Sequence, residues 1–298
     1  MEGRRTLLQE HQRIGRRVKW HNMEETMGAE RLKIATTVEQ STLSEDAAPD
    51  AYQRRWSASQ YLREYYSGAS ISDDERANAK FIAEQLRALG RMFPLALEFG
   101  CGPTVHHGAA LAPYVKQLHL ADYLPENLAE IRRWLSVDPQ AHDWDPYLMG
   151  VLAAEGLSSP EALSARKALL RTLVTEMRIA DIRCPVPLRD PGQYDLVASY
   201  YCAEAVATSR AEWRTYLTHL AGLVAPAGLL LMGAARHSRA YRVLDYTFAQ
   251  AHIDETDFAS ELPALGFPAS GTVVEIFNSG WQANGFESIC CVRAIKTG

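Results

Sequence analysis

"LALEFGCGPTVHHGAALA", residues 95–112, decides how this chain folds. An apolar run at 95–99 leads into Glu98-Phe99-Gly100-Cys101-Gly102-Pro103-Thr104, and a small-residue stretch able to open a helix follows. Glycine has no Cβ and tolerates positive φ, so this turn lets a ligand approach bare backbone. Helix N-terminal amides beyond such a turn favour an anionic group, for example a carboxylate. A phosphate loop would end in Gly-Lys-Ser/Thr, and a dinucleotide fingerprint would need glycine where Val105 stands. What remains is E-x-G-x-G.

Outward from this turn, strands are expected at 95–99, 115–122, 176–182, 194–201 and 229–234. Two later candidates, 272–277 and 288–294, fit an antiparallel edge pair. Between the strands the apolar spacing is helical. Ser72 and Glu75 form a capping box ahead of Ile82, Leu86 and Leu89, and Leu128, Ile131 and Leu135 share one helix face. After a long helical insertion, Ser209 and Glu212 form a second box ahead of Trp213, Leu217, Leu220 and Val224. Strands alternating with helices predict an α/β fold: a doubly wound, seven-stranded, mostly parallel sheet with an N-terminal helical cap over about 48–92. Ligands of such sheets bind at the carboxyl ends of the strands. Asp122 closes the second expected strand and Asp181 lies at the end of the third. A carboxylate after strand two suits ribose hydroxyls, and one after strand three can accept the adenine amino group. Turn and acids together predict a nucleoside site.

The chain has 298 residues, 47% of them hydrophobic, which suffices for a large core. A formal net charge of −5 argues against a nucleic-acid partner. No apolar run approaches the roughly 20 residues of a membrane span, and "MEGRRTLLQEHQRIGRRVKW" has no signal-peptide core. A cytoplasmic protein with no membrane partner is expected. Residues 1–47 read as a charged, poorly packed extension ahead of one domain at 48–298. Cys101, Cys184, Cys202, Cys290 and Cys291 lack CxxC spacing and read as buried thiols in a reducing compartment, and no metal is expected.

Six segments in order carry a family resemblance: "QYLREYYS" (60–67), "GCGPTVHH" (100–107), "ADYLPENLAEIRRWL" (121–135), "AHDWDPY" (141–147), "SYYCAEAV" (199–206) and "LVAPAGLLLMGA" (223–234). Over roughly 55–297 the sequence resembles the nicotinamide, phenylethanolamine and indolethylamine N-methyltransferases. The resemblance implies a class I, Rossmann-like methyltransferase that uses S-adenosylmethionine. By matching position it implies that Tyr61 and Tyr66 close over the cofactor and that Gly100, Gly102 and Thr104 line its methionine part. Asp122, Tyr123 and Asn127 would serve the ribose and neighbouring groups, Asp181 and Ile182 would frame the adenine, and Tyr200 would lie beside cofactor or acceptor. His106 reads equally as a cofactor contact or a surface histidine, and Tyr65 as ordinary packing.

The resemblance also implies a small-molecule methyl acceptor, with nitrogen the expected nucleophile and oxygen or carbon the alternatives. A non-catalytic cofactor-binding regulator is the rival from another class. Composition suggests a bacterial, secondary-metabolic setting. An amine must be unprotonated to attack, and Glu204 in "CAEAV" is the candidate group to take its proton. Acids of family members after strand five and near the C-terminus are replaced by Gly233, Arg236 and Gln282. That exchange predicts an acceptor with a carboxylate facing Arg236, or a neutral heterocycle. Tyr201, Tyr241 and Trp281 supply aromatic rings for a planar or cationic group.

Overall fold

The computed structural model describes residues 51–190, 192–243, 246–280 and 286–298. The expected extension at 1–47, Trp281 and Gln282 lie outside the described residues. The chain begins with α1 (Ala51–Arg55), α2 (Ala58–Tyr65) and α3 (Asp73–Leu89), then β1 (Phe93–Phe99) and α4 (His106–Leu111). Next come β2 (Val115–Asp122), α5 (Pro125–Leu135), α6 (Asp145–Ala154), α7 (Pro160–Leu173) and β3 (Val174–Ile179). The second half holds β4 (Tyr194–Tyr200), α8 (Ala203–Val206), α9 (Arg210–Gly222), β5 (Val224–Arg236), β6 (Ala240–Val243) and β7 (Tyr246–Ala249). It ends with α10 (Glu255–Glu261), β8 (Thr272–Asn278) and β9 (Ser288–Ile295).

Seven strands form one sheet in the order β3-β2-β1-β4-β5-β9-β8, and β6 pairs β7 in a separate hairpin. All pairings from β3 to β5 are parallel, and β9 runs antiparallel to both β5 and β8. The order reverses direction between β1 and β4, which opens a crevice at their carboxyl ends. Side chains alternate across the sheet with period two. Leu229 and Leu231 face the cluster holding Ile82, Leu86, Leu111 and Leu148, whereas Leu230 and Met232 face Trp213, Leu217, Leu220 and Phe258. Each fully buried leucine contributes about 1.5–3 kcal/mol of transfer free energy, so both layers are held firmly under the crevice.

The expected elements are present, with corrections at their edges. β3 stops at Ile179, so Asp181 stands in the following loop. β4 stops at Tyr200, and Tyr201 turns the chain with φ +49°. β5 begins at Val224, five residues early: the register jumps from Tyr194–Val224 to Leu196–Leu229, so Pro226-Ala227-Gly228 form a bulge inside the strand. The β6–β7 hairpin was not expected, because its strands are four residues each. Ser72 holds the N-cap position of α3 but makes no side-chain cap bond. Ser209 accepts from the Glu212 amide at 3.2 Å, while the Glu212 carboxylate turns to Thr208, so only half of that box forms. The full capping box is Asp254 with Asp257 on α10. Of the cysteines, Cys184 is exposed and Cys202 half-buried, contrary to the buried reading.

Candidate active site

A cavity of about 830 Å³ opens where β1, β2 and β4 end, under α1, α2 and the β6–β7 hairpin. Its floor is the glycine turn. Gly100 and Gly102 adopt φ +69° and +58°. A Cβ on Gly100 would lie 2.3 Å from Cys202 Sγ, while one on Gly102 would meet only Thr104 Cγ2 at 3.9 Å. The first glycine is therefore required by the protein, and the second leaves its backbone open to a ligand. The amides of Gly100 and Cys101 donate to Ala121 O at 2.8 and 3.1 Å, and Thr104 Oγ1 donates to Cys101 O at 2.8 Å. These bonds fold the turn over the end of β2.

Asp122 organises this half. Its Oδ2 accepts from the Gly102 amide at 2.8 Å, and Oδ1 accepts from the Leu124 amide at 2.8 Å and Asn127 Nδ2 at 2.9 Å. Burial raises its pKa, against the opposing effect of these bonds. Asn127 Oδ1 in turn accepts from Trp56 Nε1 at 2.8 Å, which ties the cap to the sheet. Asp181 lines the far end, with Arg183 Nε and a terminal nitrogen on its two oxygens at 2.8 and 2.7 Å. Burial would raise the Asp181 pKa, but Arg183 outweighs it and the net direction is down. Arg183 also lies over the Tyr123 ring, 4.6 Å from its centroid. A bare glycine backbone, a ribose-height carboxylate and an acid flanked by Ile182 fit S-adenosylmethionine.

The other half is aromatic and acidic. Tyr52 stacks on Phe248 at 4.5 Å, and Trp56 tilts against Tyr61 at 4.6 Å. Two carboxylates from the first turn of α3, Asp74 and Glu75, line this half although both are buried. Asp74 Oδ2 accepts from the Tyr201 hydroxyl at 2.9 Å. Glu75 is held by Tyr66 OH at 3.2 Å, Asn78 Nδ2 at 3.1 Å and His107 Nε2 at 2.8 Å. His107 stacks on Tyr200, ring centroids 4.1 Å apart. Burial alone would lower the His107 pKa, but the Glu75 and Glu98 carboxylates push it up to about 10. Burial alone would raise Glu75, and the two histidines hold it well below the usual carboxylate range. Glu75, His106 and His107 bring three donor atoms within 4.8 Å of one another. His107 Nε2 lies 2.8 Å from Glu75 Oε2, within hydrogen-bond distance.

Thirteen of the expected residues line this one cavity: Tyr61, Tyr66, Gly100, Gly102, Thr104, Asp122, Tyr123, Asn127, Asp181, Ile182, Tyr200, Tyr201 and Tyr241. Three do not. His106 is 1% exposed and stacks on Trp144 behind the wall, so it is neither a surface residue nor a lining one, and its neighbour His107 takes the lining position. Glu204 is turned into the protein: Oε1 accepts from the Ala235 amide at 3.0 Å, and Ala205 and Ala235 line the cavity in its stead. Arg236 also lies outside, because Glu255 takes its guanidinium at 2.6 and 3.0 Å. Gly233 is a packing requirement, since a Cβ there would sit 2.6 Å from Asn78 Oδ1 and from Tyr200 Cδ1. Tyr65, read as packing, lines the cavity as well.

Asp74, Glu75, His107, Tyr52, Trp56 and Phe248 are among the lining residues that the sequence reading missed. The signal for the first two was "SDDE" itself, an excess of acid beyond what one helix cap needs.

The sheet order, its single antiparallel strand and the glycine-turn cavity define a class I S-adenosylmethionine-dependent methyltransferase. The magnesium protoporphyrin IX methyltransferase of Synechocystis PCC 6803, solved with bound S-adenosylmethionine, shares this fold at a TM-score of 0.51 and 13% identity, over 83% of this chain and 94% of that one. Residues 45–297 match the NNMT/PNMT/TEMT family, and the chain belongs to it. Phenylethanolamine N-methyltransferase of Bos taurus is 30% identical over 223 residues, 71% of this chain and 77% of that protein. Indolethylamine N-methyltransferase of Oryctolagus cuniculus is 27% identical over 73% of this chain and 84% of its own length. Nicotinamide N-methyltransferase of Homo sapiens matches at the same identity and shares. No helix among the described residues is long and apolar enough to cross a membrane.

Proposed function

We propose that the protein methylates a nitrogen of a small-molecule amine bound in the aromatic half of the cavity. The observation that carries this reading is the pair Asp74 and Glu75, buried acids facing a space whose walls include the rings of Tyr52, Trp56, Tyr61 and Phe248. Such a space attracts an ammonium through the carboxylates and through the ring faces of Tyr61 and Trp56. When bound, S-adenosylmethionine supplies a sulfonium methyl open to in-line attack by a lone pair. The protein has two tasks around it: to hold the amine within about 3–3.5 Å of its target, and to remove the proton that blocks the lone pair. Gly102, Asp122 and Asn127 fix the cofactor end, and Trp56 couples that end to the cap. Glu75 is the acid best placed for the proton, because it reaches the cavity and is already part of a polar chain.

An acceptor carboxylate is not required. The one residue that argued for it, Arg236, is committed to Glu255. The test is a screen of amines, phenols and carbon acids with the purified enzyme, scored by S-adenosylhomocysteine formation and by the mass and position of the new methyl. Turnover of amines supports the reading. Methylation of phenols or carbon acids with none of amines would sink it.

A further inference from the structure

Glu98 has no task in the site so far. It opens the E-x-G-x-G turn and is 1% exposed, and neither of its oxygens has a hydrogen-bond partner among the described residues. A buried carboxylate without partners is costly and calls for a proton or a cation. The group beside it is His107, whose Nδ1 stands 3.6 Å from Glu98 Oε1. The opposite nitrogen of that ring, Nε2, is the one bonded to Glu75. One imidazole thus spans two buried carboxyl groups, one inside the protein and one at the cavity wall.

We infer that Glu75, His107 and Glu98 form a buried proton-holding chain that opens on the cavity at Glu75 and ends at Glu98. Its use in turnover rests on the amine reading above. At neutral pH the His107 cation lies between two carboxylates. When an ammonium meets Glu75, one proton leaves nitrogen for a Glu75 oxygen, and His107 passes its Nδ1 proton to Glu98. The amine is left neutral with its lone pair free, and the chain changes from one cation between two anions to three neutral groups. The His107 cation holds Glu75 well below the usual carboxylate range, so proton uptake at Glu75 requires His107 to give up its charge in the same step. The Nδ1–Oε1 gap must shorten to within about 3.2 Å for the second transfer. Burial already raises Glu98's proton affinity, which suits it as the end of the chain.

Other titratable groups surround the chain. Around Glu75 stand His106 from α4, Tyr61 and Tyr66 from α2 and its C-cap, Tyr147 from α6, Tyr200 and Tyr201 at the end of β4, Cys291 from β9, and Asp74 from its own helix. Around Glu98 and His107 stand Asp122 at the end of β2 and Tyr200 at the end of β4. Burial holds His106 neutral, near pKa 4, so His107 is the cation of the group. The acids Asp74 and Asp122 add negative potential, which draws the proton inward.

The decisive readout needs no cofactor: nitrogen NMR of the His107 ring in the unliganded wild type and in Glu98→Gln. The chain predicts an inverted titration. On acidification from pH 7, the wild-type Nδ1 loses its proton to Glu98 as Glu75 gains one, whereas in Glu98→Gln the ring stays doubly protonated. A wild-type ring that keeps both protons through acid, or identical titrations in the two proteins, overturns the proposal. In turnover with a confirmed amine, Glu98→Gln lowers kcat on the order of 10²-fold with an unchanged cofactor Kd and an altered pH–rate profile, and Glu98→Asp recovers part of the loss. Wild-type kcat and pH profile in Glu98→Gln also overturn it. If the wild type methylates no amine, the proposed function fails on its own, and the NMR titration decides the chain.

Discussion

Glu204→Gln tests the geometry of the inward-facing acid. Glu204 is 1% exposed, its Oε1 accepts from the Ala235 amide, and its Oε2 has no hydrogen-bond partner among the described residues. Burial therefore pushes its pKa from an ordinary 4.5 up to about 7. At about 1.4 kcal/mol per tenfold change in proton affinity, that displacement is worth about 3 kcal/mol of folding free energy. The sign follows from which state holds the proton. Between pH 4.5 and 7 the unfolded chain has lost it while the native protein keeps it, so this group's stabilising contribution is complete below pH 4.5 and is lost as pH rises through 7. A glutamine keeps the acceptor for Ala235 and does not titrate, but it buries an unpaired N–H₂ at a pH-independent cost of about 1–3 kcal/mol. Urea unfolding of both proteins from pH 4 to 8 measures the difference. The variant should be the less stable protein at pH 4, and the difference should move in its favour by about 3 kcal/mol by pH 8. A constant difference across that range would refute the reasoning, because it would mean that Glu204 ionises in the native protein as it does in the unfolded chain.

Gly100→Ala places a Cβ at φ +69° and 2.3 Å from Cys202 Sγ, so cofactor affinity measured by calorimetry should fall at least about tenfold, and Cys202→Ala in the same chain should restore part of it by removing the clash, leaving about 1–2 kcal/mol of backbone strain. Asp122→Asn keeps the shape but loses the charge that gathers Gly102, Leu124 and Asn127, and S-adenosylmethionine binding should weaken by about one to two orders of magnitude, the worth of a charge-assisted hydrogen bond at roughly 1.5–3 kcal/mol. Arg236→Lys breaks a partly buried, bidentate pair with Glu255 outside the cavity, so the acceptor profile and KM should match wild type while Tm falls, since a lysine cannot replace the two-pronged contact; an altered choice of acceptor would show that Arg236 reaches the substrate.

The fold was legible because its signals are local and redundant. β1, β4 and β5 carry short apolar runs bounded by Gly, Pro or Asp, and the helices between the strands carry 3.6-residue spacing. Strand ends were less legible. Asp181 was placed on a strand because "RIADI" continues an apolar alternation, yet the β2–β3 ladder ends where Asp122 pairs with Ile179. The bulge at Pro226-Ala227-Gly228 was invisible for a similar reason: the residues that break a helix also bend a strand, and only pairing with β4 tells the two apart. The expected glycines and strand-end acids do line the cavity, because such residues mark the carboxyl edge of the sheet by position along the chain. The acceptor half was not marked in this way, because its walls come from α1, α3 and a hairpin far apart in sequence.

Glu75 shows how such a misreading arises. An acid three residues after a serine at a helix start has a strong local use, and the capping-box reading assigned it that use. The local benefit of a cap is about 1 kcal/mol. Against it, the Glu75 carboxylate gains charge-assisted hydrogen bonds from Tyr66, Asn78 and His107, all within a buried site. Each charge-assisted bond is worth roughly 1.5–3 kcal/mol, so the tertiary partners win and Ser72 is left without its reciprocal acid. Arg236 was misread in the opposite direction. Its chemistry suited a substrate carboxylate, but Glu255, nineteen residues on, meets the fork bidentately first. In both cases residue type named the interaction correctly and the fold chose the partner. A charged residue beside a binding motif is thus evidence of a site only when it still lines the cavity after its protein partners are satisfied, which Arg236 does not. By that criterion the acid to pursue in this enzyme is Glu75, which keeps its histidine and still faces the cavity.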